Sequence, residues 1–420
     1  MHSHPAALLD TDTPNIHSPQ VRRAGGDWLS LALIDARNHS LRWGSVFETA
    51  LAEGRLLQPP VPGELDPPPW TLGHIGWYQE SWIARNVQRH RGIACDPSLP
   101  RLASIDPDAD RRYDPAQRPP AQRWTADLPG LQATRQYLAD TIEITLDLLS
   151  TADPGDAALY FYRLALLHED RRAEGLAVAA QTWGIAPGDD LPGLLPPWRS
   201  AAPREPLHFP ATRWSLGRVD AGFVFDNELA AHELRVPEFE IDAQPVSWAQ
   251  YTEFVEDGGY DEPGWWSEAG WRWLQREGRR TPRHVLQMRH GVLQQRFGRS
   301  ARVPLAQPVV HVSAHEAEAW CRWAGRRLPS EVEWEVAAHQ GASRGFRWGE
   351  VHEWTATGFR PYPGFEPHPD RAWSLPAFGS HRVLRGASLL SSGRLRDPKL
   401  RSFELPEHDE GFVGFRSCAP

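Results

Sequence analysis

The sequence predicts an α+β protein of two unlike domains: a four-helix bundle over residues 21–200, then an irregular, strand-containing domain over residues 201–420. Three observations predict it. At 420 residues the chain exceeds the ~250–300 at which single hydrophobic cores stop growing. Apolar residues at three- and four-residue steps are concentrated in the first half. The 20 tryptophans and 39 prolines are both high counts, with most tryptophans after residue 180, as expected of a domain with short elements and many turns.

Composition excludes several classes. With 45 Lys+Arg against 54 Asp+Glu the net charge is −9, so there is no basic excess for nucleic acid or an anionic membrane. Cys95, Cys321 and Cys418 lie far apart, without the paired spacing of a disulfide framework or a thiolate zinc site. Residues 1–20 lack an apolar run of signal-peptide length and read as a disordered leader. Nothing later resembles a membrane span, and the expectation is a cytoplasmic monomer.

In the first half, Asp27 to Leu51 has helical spacing (Trp28, Leu31, Ile34, Leu41, Phe47), weakened by Asn38, Ser40 and Gly44. In PPPWTLGHIGWYQESWIARN the prolines exclude helix up to Trp70, with Thr71 as N-cap. Ile75, Tyr78, Trp82 and Ile83 then mark an amphipathic helix carrying His74 in its first turn. Residues 92–120 have no periodicity and read as a long surface excursion. Helices over Leu128–Leu149 and Asp156–Trp183 complete the bundle, the last carrying His168. Inward side chains on facing bundle helices build metal sites, so His74 and His168 are candidates to converge. A proline-dense linker, Gly184 to Pro210, places the boundary near residue 200.

The second half begins with short strands, Arg213–Leu216 and Ala221–Phe225, followed by a strand near Glu240 and a helix over Trp248–Glu256. Two helices follow in PVVHVSAHEAEAWCRWAGRRLPSEVEWEVAA. The first, His315 to Gly325, ends at Gly325, and the second, Ser330 to His339, opens on a capping box of Ser330 and Glu333. Trp248, Trp320, Trp323 and Trp334 read as core.

These stretches carry a resemblance. The His74 and His168 segments are similar to the DinB-like half of the ergothioneine sulfoxide synthases and, more closely, to the selenoneine synthases. The second half resembles a formylglycine-generating-enzyme-like, C-type-lectin-like domain in four successive phrases: the two-helix stretch above, EWTATGFRPYPGF, VLRGAS and the closing GFRS. Cys321 and Cys418 do not reproduce the paired cysteines of copper-dependent formylglycine-generating enzymes.

The resemblance implies a non-haem iron(II) site with three histidines, one on the first helix and two spaced i, i+4 on the second, a spacing that shares one helix face. His74 and His168 match two of them; the third position is Arg172. A guanidinium has no lone pair to give. Asp170 and Glu174 stand ~200° and ~120° around the helix from His168, at 100° per residue, so neither substitutes easily. Two outcomes stay open: iron held by two histidines with water or a carboxylate from elsewhere, or loss of metal with Arg172 filling the site as a substrate-binding residue, its fixed charge repelling a cation and attracting a carboxylate. The resemblance further implies Tyr362 as a proton donor beside the iron, and Arg401, Ser402, Phe403 and Glu404 as the segment that holds a trimethylated histidine. Phe403 offers a ring face to a quaternary ammonium and Glu404 a charge.

The activity implied is a dioxygen-dependent oxygenase that forms a carbon–selenium or carbon–sulfur bond on the imidazole of N-α-trimethylhistidine, with a selenosugar or thiol donor. The alternative is a weakened homologue that binds a betaine or amino-acid ligand without turnover.

Overall fold

In the computed structural model, residues 15–55, 57, 65–125, 127–200, 202–219 and 221–420 are described. Leader residues 1–14 lie outside them. The end of the expected leader is ordered: Pro19–Arg23 forms a 3-10 turn capped by the Ser18 hydroxyl, and Arg22 pairs with the buried Glu228 carboxylate at 2.7 Å.

The bundle consists of α1 (Gly26–Ala52), α2 (Pro68–Gln79), the short α3 (Ala109–Tyr113) and α4 (Pro120–Arg123), then α5 (Leu131–Ser150) and α6 (Asp156–Thr182). Along α1 the buried positions Leu29, Leu33, Ala36, Trp43, Phe47 and Ala50 recur at helical spacing and face the core. A buried ion pair, Arg37 to Glu169 at 2.9 Å, ties α1 to α6.

Two expectations need correction here. Helix α2 starts at Pro68, not after Trp70, because proline in the first turn gives up an N–H that has no intrahelical acceptor there. Residues 92–120 are not simply a surface excursion. Ala109 and Tyr113 are buried at 0% and 1% exposure, and α3 packs on α2. A Cβ at Gly73 would lie 2.1 Å from the Tyr113 ring, and one at Gly76 would lie 2.9 Å from Tyr137, so the two glycines let these rings close over α2.

The C-terminal half contains two small antiparallel pairs. One joins β1 (Leu207–Phe209) to β4 (Phe239–Ile241), the other β2 (Thr212–Leu216) to β3 (His232–Val236). Residues 221–225 are not a strand. Their backbone bonds to Arg22, and Phe223 and Phe225 are buried, with Phe223 beside Tyr160 of α6. Helices α7 (Trp248–Glu256) and α8 (Glu268–Glu277) precede a three-stranded meander of β5 (Val285–Gln287), β6 (Val292–Arg296) and β7 (Arg299–Val303).

Helices α9 (Ala314–Trp323) and α10 (Glu331–Gln340) each open on a capping box, Ser313 with Glu316 and Ser330 with Glu333. Gly325, at φ +63°, takes the left-handed turn after α9. The main sheet has the order β10–β9–β8–β11, with β8 (His352–Gly358), β9 (Arg382–Gly386), β10 (Ser402–Glu404) and β11 (Val413–Phe415). Only the β8–β11 pairing is parallel.

Trp248, Trp320 and Trp334 are buried, whereas Trp323 is partly buried and bonds Asp257 through its N–H at 3.1 Å. One apolar cluster runs through both halves, joining Trp43, Phe47 and Leu176 of the bundle to Trp248, Trp354 and Phe412. The halves thus share a core, with α6 ending at Thr182 and β1 starting at Leu207. Among the described residues no helix is long and apolar enough to cross a membrane.

Candidate active site

Helices α2 and α6 bring His74 and His168 together, with ring centroids 5.2 Å apart and planes at 60°. His74 is buried and stacked between Trp70 at 4.7 Å and Trp77 at 5.4 Å. Its Nδ1 lies 2.9 Å from the Tyr113 carbonyl oxygen, which only accepts, so Nδ1 carries the proton and Nε2 presents a lone pair. His168 stacks on Tyr78 at 3.6 Å and 4°, and its Nε2 is buried with no hydrogen-bond partner among the described residues. Burial first, and then the charge on Arg172, holds both imidazoles well below their ordinary pKa, so both are neutral.

Arg172 occupies the third corner. Its Nη2 donates toward His74 Nε2 at 3.4 Å while Nη1 lies 3.4 Å from Asp66. The two lone pairs are of the type that holds iron, but the guanidinium rests on one of them. Among the described residues no group of three or more His, Cys, Asp or Glu side chains is placed to hold a metal ion. The residues in this arrangement do not fit a three-ligand iron centre.

The phenol beside the histidines is Tyr78, one helical turn after His74, and it donates to Asp370 at 2.6 Å. Burial pushes the Tyr78 phenol up, well above its ordinary value. Tyr362, the expected proton donor, is placed elsewhere. It is buried, it donates to Glu331 at 3.0 Å, and the Arg401 guanidinium covers its ring at 4.0 Å. Arg401 itself is committed to Glu331 at 2.9 and 3.0 Å. Neither residue contacts the histidine pair. The reason is the network: Glu331 at the start of α10, Arg385 on β9 and Arg401 form a buried ion cluster that captures the phenol.

Ser402, Phe403 and Glu404 do face the bundle. With Arg171, Glu174, His352, His408 and Phe412 they line a cavity of about 190 Å³ between α6 and the main sheet. Phe403 stacks on Phe359 at 4.1 Å and meets Trp373 at 5.0 Å. Glu404 accepts from His408 at 3.0 Å. Against the cost of burial, that bond raises His408 to about 9 and lowers Glu404.

Arg171, which reads as half of a solvated basic pair, is partly buried with its guanidinium 3.4 Å over the Trp373 ring. It makes no hydrogen bond or ion pair among the described residues, and burial pulls it down to about 9.

Tyr78 was open to inference, because i, i+4 from His74 places it on the same face. Asp370, Trp373 and His352 carried no local signal.

Residues 47–180 match the DinB superfamily and residues 210–351 match the sulfatase-modifying factor enzyme 1-like domain. Over 440 residues the chain is 30% identical to the hercynine oxygenase of Mycolicibacterium thermoresistibile, covering 92% of this chain and 94% of the relative. Identity to the hercynine oxygenase of Mycolicibacterium smegmatis is 31%, covering 84% and 90%. Identity to that of Mycobacterium tuberculosis is 30%, covering 84% and 90%.

Proposed function

Because this chain belongs to the hercynine oxygenase family, with a DinB superfamily region ahead of a sulfatase-modifying-factor region, we propose that it acts as an oxygenase on hercynine, N-α-trimethylhistidine. The observation that carries the substrate class is the cavity between α6 and β10. At about 190 Å³ it lies below the ~300–1,000 Å³ of pockets for drug-sized ligands and suits an amino-acid derivative. A quaternary ammonium cannot donate a hydrogen bond, so it is recognised by ring faces and negative charge. Phe403 supplies the first; Glu404, which also accepts from His408, and Glu410, which also pairs with Arg283 at 3.0 Å, supply the second. The substrate carboxylate pairs with Arg171, whose guanidinium lies over the Trp373 ring and makes no hydrogen bond or ion pair among the described residues.

The finer reading is carbon–selenium or carbon–sulfur bond formation on the imidazole, with dioxygen as oxidant and a selenosugar or thiol as donor, in a cytoplasmic monomer. The resemblance implies iron(II), which His74 and His168 with Arg172 in the third position do not fit as a three-ligand centre. A second reading, ligand binding without turnover, is favoured by one observation, the Arg172 guanidinium on the lone pair of His74.

Metal analysis of the purified protein, titration with N-α-trimethylhistidine, and a product assay with dioxygen and each donor separate these readings. Stoichiometric iron with product formation supports the oxygenase. Binding without metal or product supports the second reading, and absence of binding overturns both.

A further inference from the structure

Glu174 of α6 is gripped entirely by the C-terminal half. Its carboxylate accepts from Ser388 Oγ at 2.5 Å, from Ser391 Oγ at 2.8 and 3.0 Å, and from His352 Nε2 at 3.1 Å. Against the cost of burial, the charge of protonated His352, its N–H and these hydroxyls lower Glu174 to about 2; when the ring is neutral, the N–H and hydroxyl bonds still hold the carboxylate. A carboxylate opposite Nε2 fixes the proton there and orients the ring, as carboxylates orient imidazoles in catalytic triads. In the neutral ring Nδ1 is then a bare acceptor. That nitrogen is buried and has no hydrogen-bond partner among the described residues. His352 lines the same cavity as Ser402, Phe403 and Glu404, from β8 of the sheet whose edge strand β10 carries those three residues.

A buried acceptor without a donor is a vacancy for a ligand N–H. Of the three polar parts of a trimethylated histidine, the ammonium and the carboxylate have no N–H, and only the imidazole has one. We propose that His352, oriented by Glu174, is the positioning residue that reads the imidazole of the ligand, with Nδ1 accepting its N–H. This rests on the substrate class proposed above. Glu174 and His352 come from different domains, so the imidazole subsite exists only when the bundle and the main sheet are docked.

The test is calorimetric titration of the full chain with two ligands: N-α-trimethylhistidine, and the trimethylammonium form of alanine, which lacks the ring. His352→Gln keeps a donor for Glu174 but removes the acceptor at the Nδ1 position; His352→Asn restores an acceptor there. The expected result is that His352→Gln binds trimethylhistidine ~10-fold more weakly and trimethylalanine as the wild type does, with His352→Asn closer to the wild type for the first ligand. Equal binding of trimethylhistidine by His352→Gln and wild type overturns the proposal, and so does equal weakening of both ligands, which marks a structural role. Failure of the wild type to bind trimethylhistidine overturns the substrate class itself. Should His352→Gln fold poorly, Glu174→Gln gives the same readout by unfixing the ring.

Discussion

Arg172 Nη2 lies 3.4 Å from His74 Nε2 and takes up its lone pair, beside the His168 ring whose centroid is 5.2 Å from that of His74. Because a guanidinium stays protonated at any physiological pH, this contact sets a fixed positive charge where the resemblance implies a cation-binding ligand.

Arg172→His is therefore expected to convert the pair into a three-imidazole set and raise affinity for divalent metal. The gain should exceed the ~10–100-fold that outer-shell partners command. Cobalt(II) titration followed by its visible absorption bands measures it. Unchanged metal affinity would show that an imidazole at position 172 does not complete a metal site with His74 and His168.

Tyr362→Phe removes the phenol's bond to Glu331 but leaves the ring under Arg401. The expected loss is ~1 kcal/mol of stability, with trimethylhistidine affinity unchanged. Urea unfolding and calorimetric titration together check this. A large loss of affinity would place Tyr362 back at the ligand.

His408 titrates in a window that can be read. Its folded pKa, about 9, stands above the ~6.5 of an unfolded histidine. Its contribution is therefore fully present below pH 6.5 and lost as pH rises through 9. The shift corresponds to at most ~3 kcal/mol. Wild type and His408→Gln should differ most in urea stability near pH 6 and converge by pH 10; parallel curves would show that His408 is not charged beside Glu404.

Arg394 joins the halves through Asp170 at 2.7 Å and Asp35 at 2.8 Å. Arg394→Ala leaves the buried Asp170 carboxylate unpaired, and ~3–5 kcal/mol of destabilisation is expected. Asp170→Asn in the same background should recover part of it. No recovery in denaturation experiments would locate the cost elsewhere.

The signals legible in the chain were the local ones. Ser330 with Glu333 announced the start of α10, Gly325 the end of α9, and the spacing of Ile75 and Tyr78 the face of α2 that carries His74, with Trp82 in the π-helical turn Glu80–Ala84 that follows. The segment Ser402 to Glu404 could be singled out through its resemblance, and it lines the cavity. Arg171 could not be told from a solvated arginine, because its burial depends on Trp373, some two hundred positions later. Tyr362 is held away from the histidine pair by Glu331, Arg385 and Arg401, three residues that no spacing rule connects.

What the sequence by itself determined is the kind of each element and its chemical stock: helix periodicity, caps, two imidazoles on separate helices, and an arginine in register with them. These follow from sterics and hydrogen bonds within a few residues. Only the tertiary structure decided which groups meet. Tyr113 turns His74 Nε2 into an acceptor, and Glu174 does the same for His352 Nδ1. Both outcomes depend on contacts between distant segments, set by how the faces of the bundle and sheet pack around one shared core.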